Sequence, residues 1–375
     1  MAEEKYIEYT GGSLRRRRGP LMWVVDTLLT LVTLAVGIVV PIVLIVPYVS
    51  PAKMGVFPVV ALAAPALYAA TVLLLLYWIV RWRLRRAGWM LLLVVAGLFK
   101  MPLFWKPQLG RDYEERYDRG TFKVLSYNVR YFYDAEGHSS VDRVVGLIDS
   151  LAPDVVCLQE FNRRLADRSE KFAALAKKYE FARFGLDEGM EMRQIIMSKS
   201  RMLRSGVAQA PDAAVWADVM VGDDTVRIFN NHLRSTAIKA ADNDYIVRHG
   251  FIGDTAVETK FRSIVRRLRR TGVLRAAQVD SIAAATERMR PERVVCGDFN
   301  DPPMSYAYRT MARGLNDTFA EGGTGYSYTY RGFFDLLRID YVLASPHFET
   351  FSYEVLPLDC SDHYPVVARL RLLAE

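Results

Sequence analysis

The chain has 375 residues, 51% apolar and 24% charged, with 49 Lys and Arg against 42 Asp and Glu. Those figures exclude a disordered or collagen-like chain, and three cysteines are too few for a disulfide scaffold. Residues 1–106 hold 12 basic and 4 acidic side chains, and residues 107–375 hold 37 and 38, so the formal +7 belongs to the first third. The overall charge therefore gives no argument for a nucleic-acid partner, whose phosphates call for clustered positive charge.

Residues 1–20 are a basic leader containing Arg15–Arg18. The run 21–49 is almost wholly apolar, broken by Asp26, Pro41 and Pro47, and the run 56–80 carries no charge. A third run, 88–105, is shorter and holds Lys100 near its end. A bilayer core of about 30 Å takes about 20 apolar residues in a helix, because lipid cannot satisfy backbone groups. The expectation is an all-α region of about three transmembrane helices over residues 21–106. Arginines crowd 15–18 and 81–86, whereas Lys53 alone separates the first two runs. The positive-inside rule then places the N-terminus in the cytoplasm, and three crossings deliver the rest of the chain to the outer, periplasmic or extracellular, side. If Gly88–Trp105 instead lies in the interface, the rest stays cytoplasmic. A cleaved signal peptide fits poorly, since its apolar region spans only about 7–15 residues.

Residues 107–120 read as a polar tether. From 121 to 375, β-rich runs alternate with helical stretches. Strands are expected at Phe122–Val129, Asp154–Gln159, Gln194–Ser198, Val215–Val221, Val226–Asn231, Arg293–Cys296, Ile339–Ala344 and Val366–Leu370. Helices are expected at Val141–Ser150 and Lys171–Lys178, with a polar, partly helical segment from Arg234 to Met289. This is an α/β arrangement large enough for one core with two sheets. Cys157 and Cys296 fall in apolar runs and read as buried small hydrophobes.

Polar clusters stand where the apolar strand runs stop: Ser126-Tyr127-Asn128, Gln159-Glu160, Asn230-Asn231-His232, Gly297-Asp298-Phe299-Asn300, Arg338-Ile339-Asp340 and Ser361-Asp362-His363. Any one of them reads most simply as a cap or a turn. Six together would be costly to leave without partners. Carboxylate and amide oxygens suit a hard ion, Mg²⁺ or Mn²⁺, and no Cys or His spacing suggests zinc. Histidines among carboxylates add a proton carrier, and the set suits attack of water on phosphorus.

In order and spacing these motifs resemble the endonuclease/exonuclease/phosphatase superfamily across residues 121–375. The resemblance implies a four-layer α/β/β/α sandwich with one metal-centred cleft. It implies Glu160 as metal ligand with Asn128 and Asp362 nearby. Asp298 would orient or deprotonate water, and Asn300 would bind the phosphate. His232 and His363 would contact phosphoryl oxygens or shuttle protons, and Asp340 would pair with His363. Two departures stand out: Arg130 occupies a position where some nucleases of the family have Asp, and Arg193 replaces a glycine.

The superfamily includes nucleases and phospholipid phosphodiesterases, so the substrate stays open between a lipid headgroup and nucleic acid. Arg193 and a basic helical block containing Arg266 and Arg270 are the expected substrate contacts. A solvated helix face accounts for that block equally well. The functional expectation is a membrane-anchored, divalent-metal-dependent phosphodiesterase, with a surface nuclease as the alternative, a non-catalytic binding protein on the same fold as the least favoured reading, and no protein partner indicated.

Overall fold

The structure, a computed structural model, describes residues 20–107, 121–182, 184, 193–209, 214–236, 255–287, 292–332 and 335–373. The basic leader up to residue 19 and tether residues 108–120 lie outside the described residues.

Pro20 opens helix α1 (Pro20–Ile45), where its missing N–H costs nothing, and a 3-10 turn carries the helix on to Tyr48. This 29-residue stretch is the one described helix long and apolar enough to cross a membrane, judged by length and composition. Three such spans were expected, and the other two fall short. The second run divides at Ala63 into α2 (Phe57–Leu62) and the 17-residue α3 (Ala64–Val80). Pro65, in the first turn of α3, cannot continue a preceding helix. The third run gives the 15-residue α4 (Leu84–Leu98), which opens on Arg85 and Arg86. Helices α1, α3 and α4 pack together around Val36, Leu74, Trp78, Met90 and Leu93. Arg81 donates to Asp26 through Nε (3.1 Å) and Nη2 (2.9 Å), tying the end of α3 to the start of α1. Leu28, Leu31, Leu34, Leu73, Leu76, Leu91 and Leu92 point outward and are exposed.

Short runs rich in β-branched residues make the strands. In chain order they begin with β1 (Trp105–Lys106), β2 (Thr121–Asn128), β3 (Val155–Gln159), β4 (Glu180–Phe181), β5 (Ile195–Ser198), β6 (Met202–Gln209) and β7 (Ala214–Val221). There follow β8 (Asp224–His232), β9 (Arg293–Asp298), β10 (Asn316–Asp317), β11 (Gly325–Tyr326), β12 (Asp340–Ala344), β13 (Phe348–Val355) and β14 (Val366–Leu372). Between them lie helices α5 (Val141–Leu151), α6 (Arg163–Ala166), α7 (Glu170–Ala176), α8 (Thr255–Glu287), α9 (Tyr306–Met311) and α10 (Thr318–Gly322).

One six-stranded sheet has the order β13-β14-β2-β3-β5-β4, the other β10-β12-β9-β8-β7-β6. The pairs β2–β3 and β8–β9 are parallel and the other neighbours antiparallel. The sheets bury Val124, Cys157 and Ile196 against Val215, Ile228, Cys296 and Val342. Val144, Ile148 and Leu175 of α5 and α7 cover the outer face of the first sheet. Val279, Ile282 and Met311 of α8 and α9 cover the second. The layer order is therefore α/β/β/α.

The N-terminal helices dock onto this sandwich. β1 pairs with β11, and the Ser327 amide donates to the Phe104 carbonyl at 3.1 Å. On α8, a Cβ at Gly272 would come within 2.3 Å of Pro58 Cγ, so α2 presses directly on that helix. Arg309 stacks over Tyr48 at 5.2 Å, which fixes the C-terminal end of α1 against the sandwich.

Candidate active site

Strand register gathers the polar clusters. In the second sheet His232 and Asp340 both pair with Asp298, which brings the ends of β8, β9 and β12 to one level. In the first sheet Asn128 pairs with Gln159, and Glu160 follows directly. One interaction ties the two edges: Asn128 Nδ2 donates to Asp298 Oδ2 at 3.0 Å and lies 3.3 Å from Glu160 Oε1. Below it, Gln159 Nε2 donates to Asn230 Oδ1 at 2.7 Å, a second polar link across the sandwich.

Asp298, 1% exposed, is held on both oxygens: Oδ1 accepts from the Asn300 amide (2.8 Å) and Oδ2 from Asn300 Nδ2 (2.9 Å). The same Nδ2 also donates to Leu233 O at 3.0 Å. Both amide hydrogens of Asn300 are thus engaged, and its placement fixes Asp298. His363 Nδ1 meets Asp340 Oδ2 at 2.9 Å, leaving Nε2 3.8 Å from Asp298 Oδ2. Although burial opposes its charge, the carboxylates of Asp340, Asp298 and Asp362 push the His363 imidazolium well above the ordinary histidine range. Burial pushes the Asp340 carboxyl up, opposed by His363 and reinforced by Asp298. His232 Nε2 makes no hydrogen bond among the described residues and lies 3.4 Å from Glu160 Oε1 and 3.8 Å from Asp298 Oδ2.

The site is backbone-strained. Glu160 (φ 51°), Asn300 (φ 53°) and Arg130 (φ 45°) all occupy the left-handed region, which costs a side-chain-bearing residue about 1–2 kcal/mol. Gly297 (φ 127°) allows the closest approach: a Cβ there would lie 1.9 Å from the Asn231 carbonyl oxygen of the paired strand.

Glu160, Asp298, Asn300 and His363 line one cleft of about 670 Å³ with Arg130, Tyr131, Tyr330, Arg331 and Asp362. Of the expected site residues, Glu160, Asp298, Asn300, Asp362 and His363 line it. Asn128, Asp340 and His232 stand directly behind through the contacts above. Arg193 lies outside, donating to Tyr131 Oη at 3.2 Å and stacking on that ring. Arg266 and Arg270 also stay outside, exposed on α8. Leu268, two residues from each, turns into the cleft, and at 3.6 residues per turn its second neighbours face away. Arg338, despite its motif position, points into the core and donates to Asp317 through Nη1 (2.9 Å) and Nη2 (2.6 Å). Tyr330, stacked on the His363 ring at 5.0 Å, was not foreseen, because its loop shows no periodicity.

The donor set fits a hard divalent cation. Two carboxylates, Glu160 and Asp298, converge on one amide, and the nearby His232 Nε2 has no hydrogen bond among the described residues. Surplus negative charge on oxygen ligands is what Mg²⁺ or Mn²⁺ requires. Asp298, Asp340 and His363 further offer donor atoms within 4.8 Å of one another.

The sequence profile described as the Endonuclease/Exonuclease/phosphatase family matches residues 125–363. A second profile, described as a domain of unknown function (DUF8431), matches residues 26–104. No curated protein matches the chain. Among similar solved structures, an endonuclease/exonuclease/phosphatase family protein from Bacteroides thetaiotaomicron is 17% identical, with a TM-score of 0.48, covering 69% of this chain and 100% of that one. A mannosyl-6-phosphatase from Bacteroides thetaiotaomicron VPI-5482 is 17% identical with a TM-score of 0.46, covering 66% and 99%. TDP2 from D. rerio, complexed with a single-strand DNA product, is 16% identical with a TM-score of 0.46, covering 67% and 99%.

Proposed function

The chain belongs to the endonuclease/exonuclease/phosphatase family, and from that premise we propose that it is a membrane-anchored, divalent-metal-dependent phosphoesterase hydrolysing phosphodiesters by in-line attack of water. The observation that carries this reading is the convergence of Glu160, Asp298, His232 and His363 within 4 Å contacts at one cleft. A bound Mg²⁺ or Mn²⁺, held by Glu160 with Asp362 nearby, would neutralise phosphoryl oxygens and acidify water, while Asn128, whose Nδ2 faces Glu160 and Asp298, would orient those carboxylates. Asp298 orients the attacking water and takes its proton, and Asn300 keeps that carboxylate aimed. His363 donates from Nε2 to a phosphoryl oxygen while Asp340 fixes its Nδ1 tautomer. His232 offers the second donor.

Residues 1–20 form the cytoplasmic leader, 21–106 the anchor, 107–120 the tether and 121–375 the catalytic domain. Anchoring is supported by the exposed leucines of the α1–α3–α4 bundle, since apolar faces of that size on a soluble surface are rare. Arg81 binds at the start of α1 while the sandwich docks at its other end. The positive-inside rule then sets the catalytic domain on the outer side. Tyr131 and Tyr330, which line the cleft, supply faces on which bases stack, so a surface nuclease is the second reading.

The test uses the full-length chain in lipid nanodiscs with DNA, RNA, and anionic and sphingolipid vesicles, in Mg²⁺, Mn²⁺ or EDTA. Chelator-sensitive release of product from one class supports the proposal. Inertness toward every class with either metal refutes it.

A further inference from the structure

The catalytic cleft is not built by the catalytic domain alone. Pro58 and Leu62, both on α2, line it beside Glu160, Asp298 and His363. They lie outside residues 125–363, which the family profile covers. The wall they make is continuous. Pro58 and Leu62 are four residues apart and share one face of α2. Pro58 touches α8 at Gly272, and Leu268, one turn earlier on the same face of α8, also lines the cleft. Nothing on this wall carries charge, whereas the opposite ingredients of the cleft are carboxylates, histidines and arginines.

The wall is also rigidly placed. Buried Arg275, about one turn beyond Gly272 on α8, pairs with Asp301 at 2.5 Å and donates to the Arg234 carbonyl and to Thr236 Oγ1. Asp301 follows Asn300 directly, so α8 is fixed to the loop that aims Asp298. A substrate whose phosphorus meets Asp298 therefore shares its cleft with these aliphatic side chains.

We propose that Pro58, Leu62 and Leu268 form an apolar subsite that binds the hydrocarbon chain of an amphiphilic phosphoester. The N-terminal region is then part of the substrate site as well as an anchor. This rests on the phosphoesterase reading above. An unbranched chain fits such a wall by area contact alone, and each buried methylene strengthens binding. A nucleobase would gain more from the aromatic faces elsewhere in the cleft.

The experiment compares kcat/KM for 4-nitrophenyl esters of ethyl, butyl and hexyl phosphate and of thymidine 5′-monophosphate. It uses the full-length chain in nanodiscs with Mg²⁺. The hexyl ester is expected to exceed the ethyl ester by about tenfold or more, from four additional buried methylenes. Leu62→Glu should collapse that ratio toward one, and Leu62→Met should restore it. Should Leu62→Glu fail to fold, Leu62→Ser makes the same comparison with a shortened side chain. Equal rates for ethyl and hexyl esters, an unchanged ratio in the Leu62 variants, or preference for the thymidine ester would each overturn the subsite while leaving the phosphoesterase reading intact. Hydrolysis of none of the four esters would overturn both.

Discussion

Replacing Arg338 with Met separates a structural role from a catalytic one at a motif position. The guanidinium is 1% exposed and makes three charge-assisted hydrogen bonds, two to Asp317 and one to the Leu103 carbonyl. It also stacks over Phe319 at 4.7 Å and Tyr341 at 4.8 Å. Met keeps most of the volume and loses the charge, leaving the Asp317 carboxylate buried without its cation. Breaking one partner of a buried ion pair costs about 3–5 kcal/mol. For a domain of this size that lowers the melting temperature by roughly 6–20 °C. Asp317→Asn in the same chain should regain part of the loss, because the amide keeps the cap to Phe319 without a buried charge. Thermal unfolding by intrinsic fluorescence reads the shift, and turnover on bis(4-nitrophenyl) phosphate is assayed well below melting. The expected result is a large loss of stability with most turnover retained. Wild-type melting combined with lost turnover would place Arg338 at the reacting centre and refute this reasoning.

Asp340→Asn removes the carboxylate that fixes His363 Nδ1 and should lower kcat by about 10²–10⁴-fold with the fold retained, as steady-state kinetics and circular dichroism would show. Unaltered kcat would remove His363 from the mechanism. Gly297→Ala should prevent accumulation of folded protein, since the new Cβ collides with the Asn231 backbone. Gly314→Ala, at φ 68° but facing open space, should cost only about 1–2 kcal/mol, and soluble yield and melting temperature distinguish the two. With the catalytic domain on the outer side, protease added to sealed spheroplasts should digest residues 121–375. Protection until lysis would reverse the topology.

Much of the site was legible because it lies where apolar strand runs stop. β2, β3, β8, β9 and β12 each end or begin on the residue that the sequence singled out, and parallel and antiparallel register then bring those residues level. The strands β6 and β13 were not anticipated. Each lies at a sheet edge, and Arg204, Ser205, Glu349 and Glu354 blur the alternation that identifies a strand. Arg338 reads as a motif residue, and only the packing shows that it pairs with Asp317 inside the core. The apolar wall was invisible for a different reason. Pro58 and Leu62 look like membrane residues in sequence, and their place in the cleft depends on contacts with α8, more than 200 positions later. The shortening of α3 and α4 was written in Pro65 and Arg85-Arg86, but hydropathy over a long window averages such breaks away.

The account stands or falls on Asp298 acting in metal-dependent hydrolysis at this cleft. The most direct measurement is bis(4-nitrophenyl) phosphate turnover by the full-length wild type and Asp298→Asn in Mg²⁺, after EDTA, and after Mg²⁺ is restored. The account predicts wild-type turnover that EDTA abolishes and Mg²⁺ restores, and an Asp298→Asn variant that folds normally but is slower by about 10²-fold or more in Mg²⁺, both before EDTA and after Mg²⁺ is restored. An Asp298→Asn variant as fast as wild type, or turnover indifferent to EDTA, would contradict it.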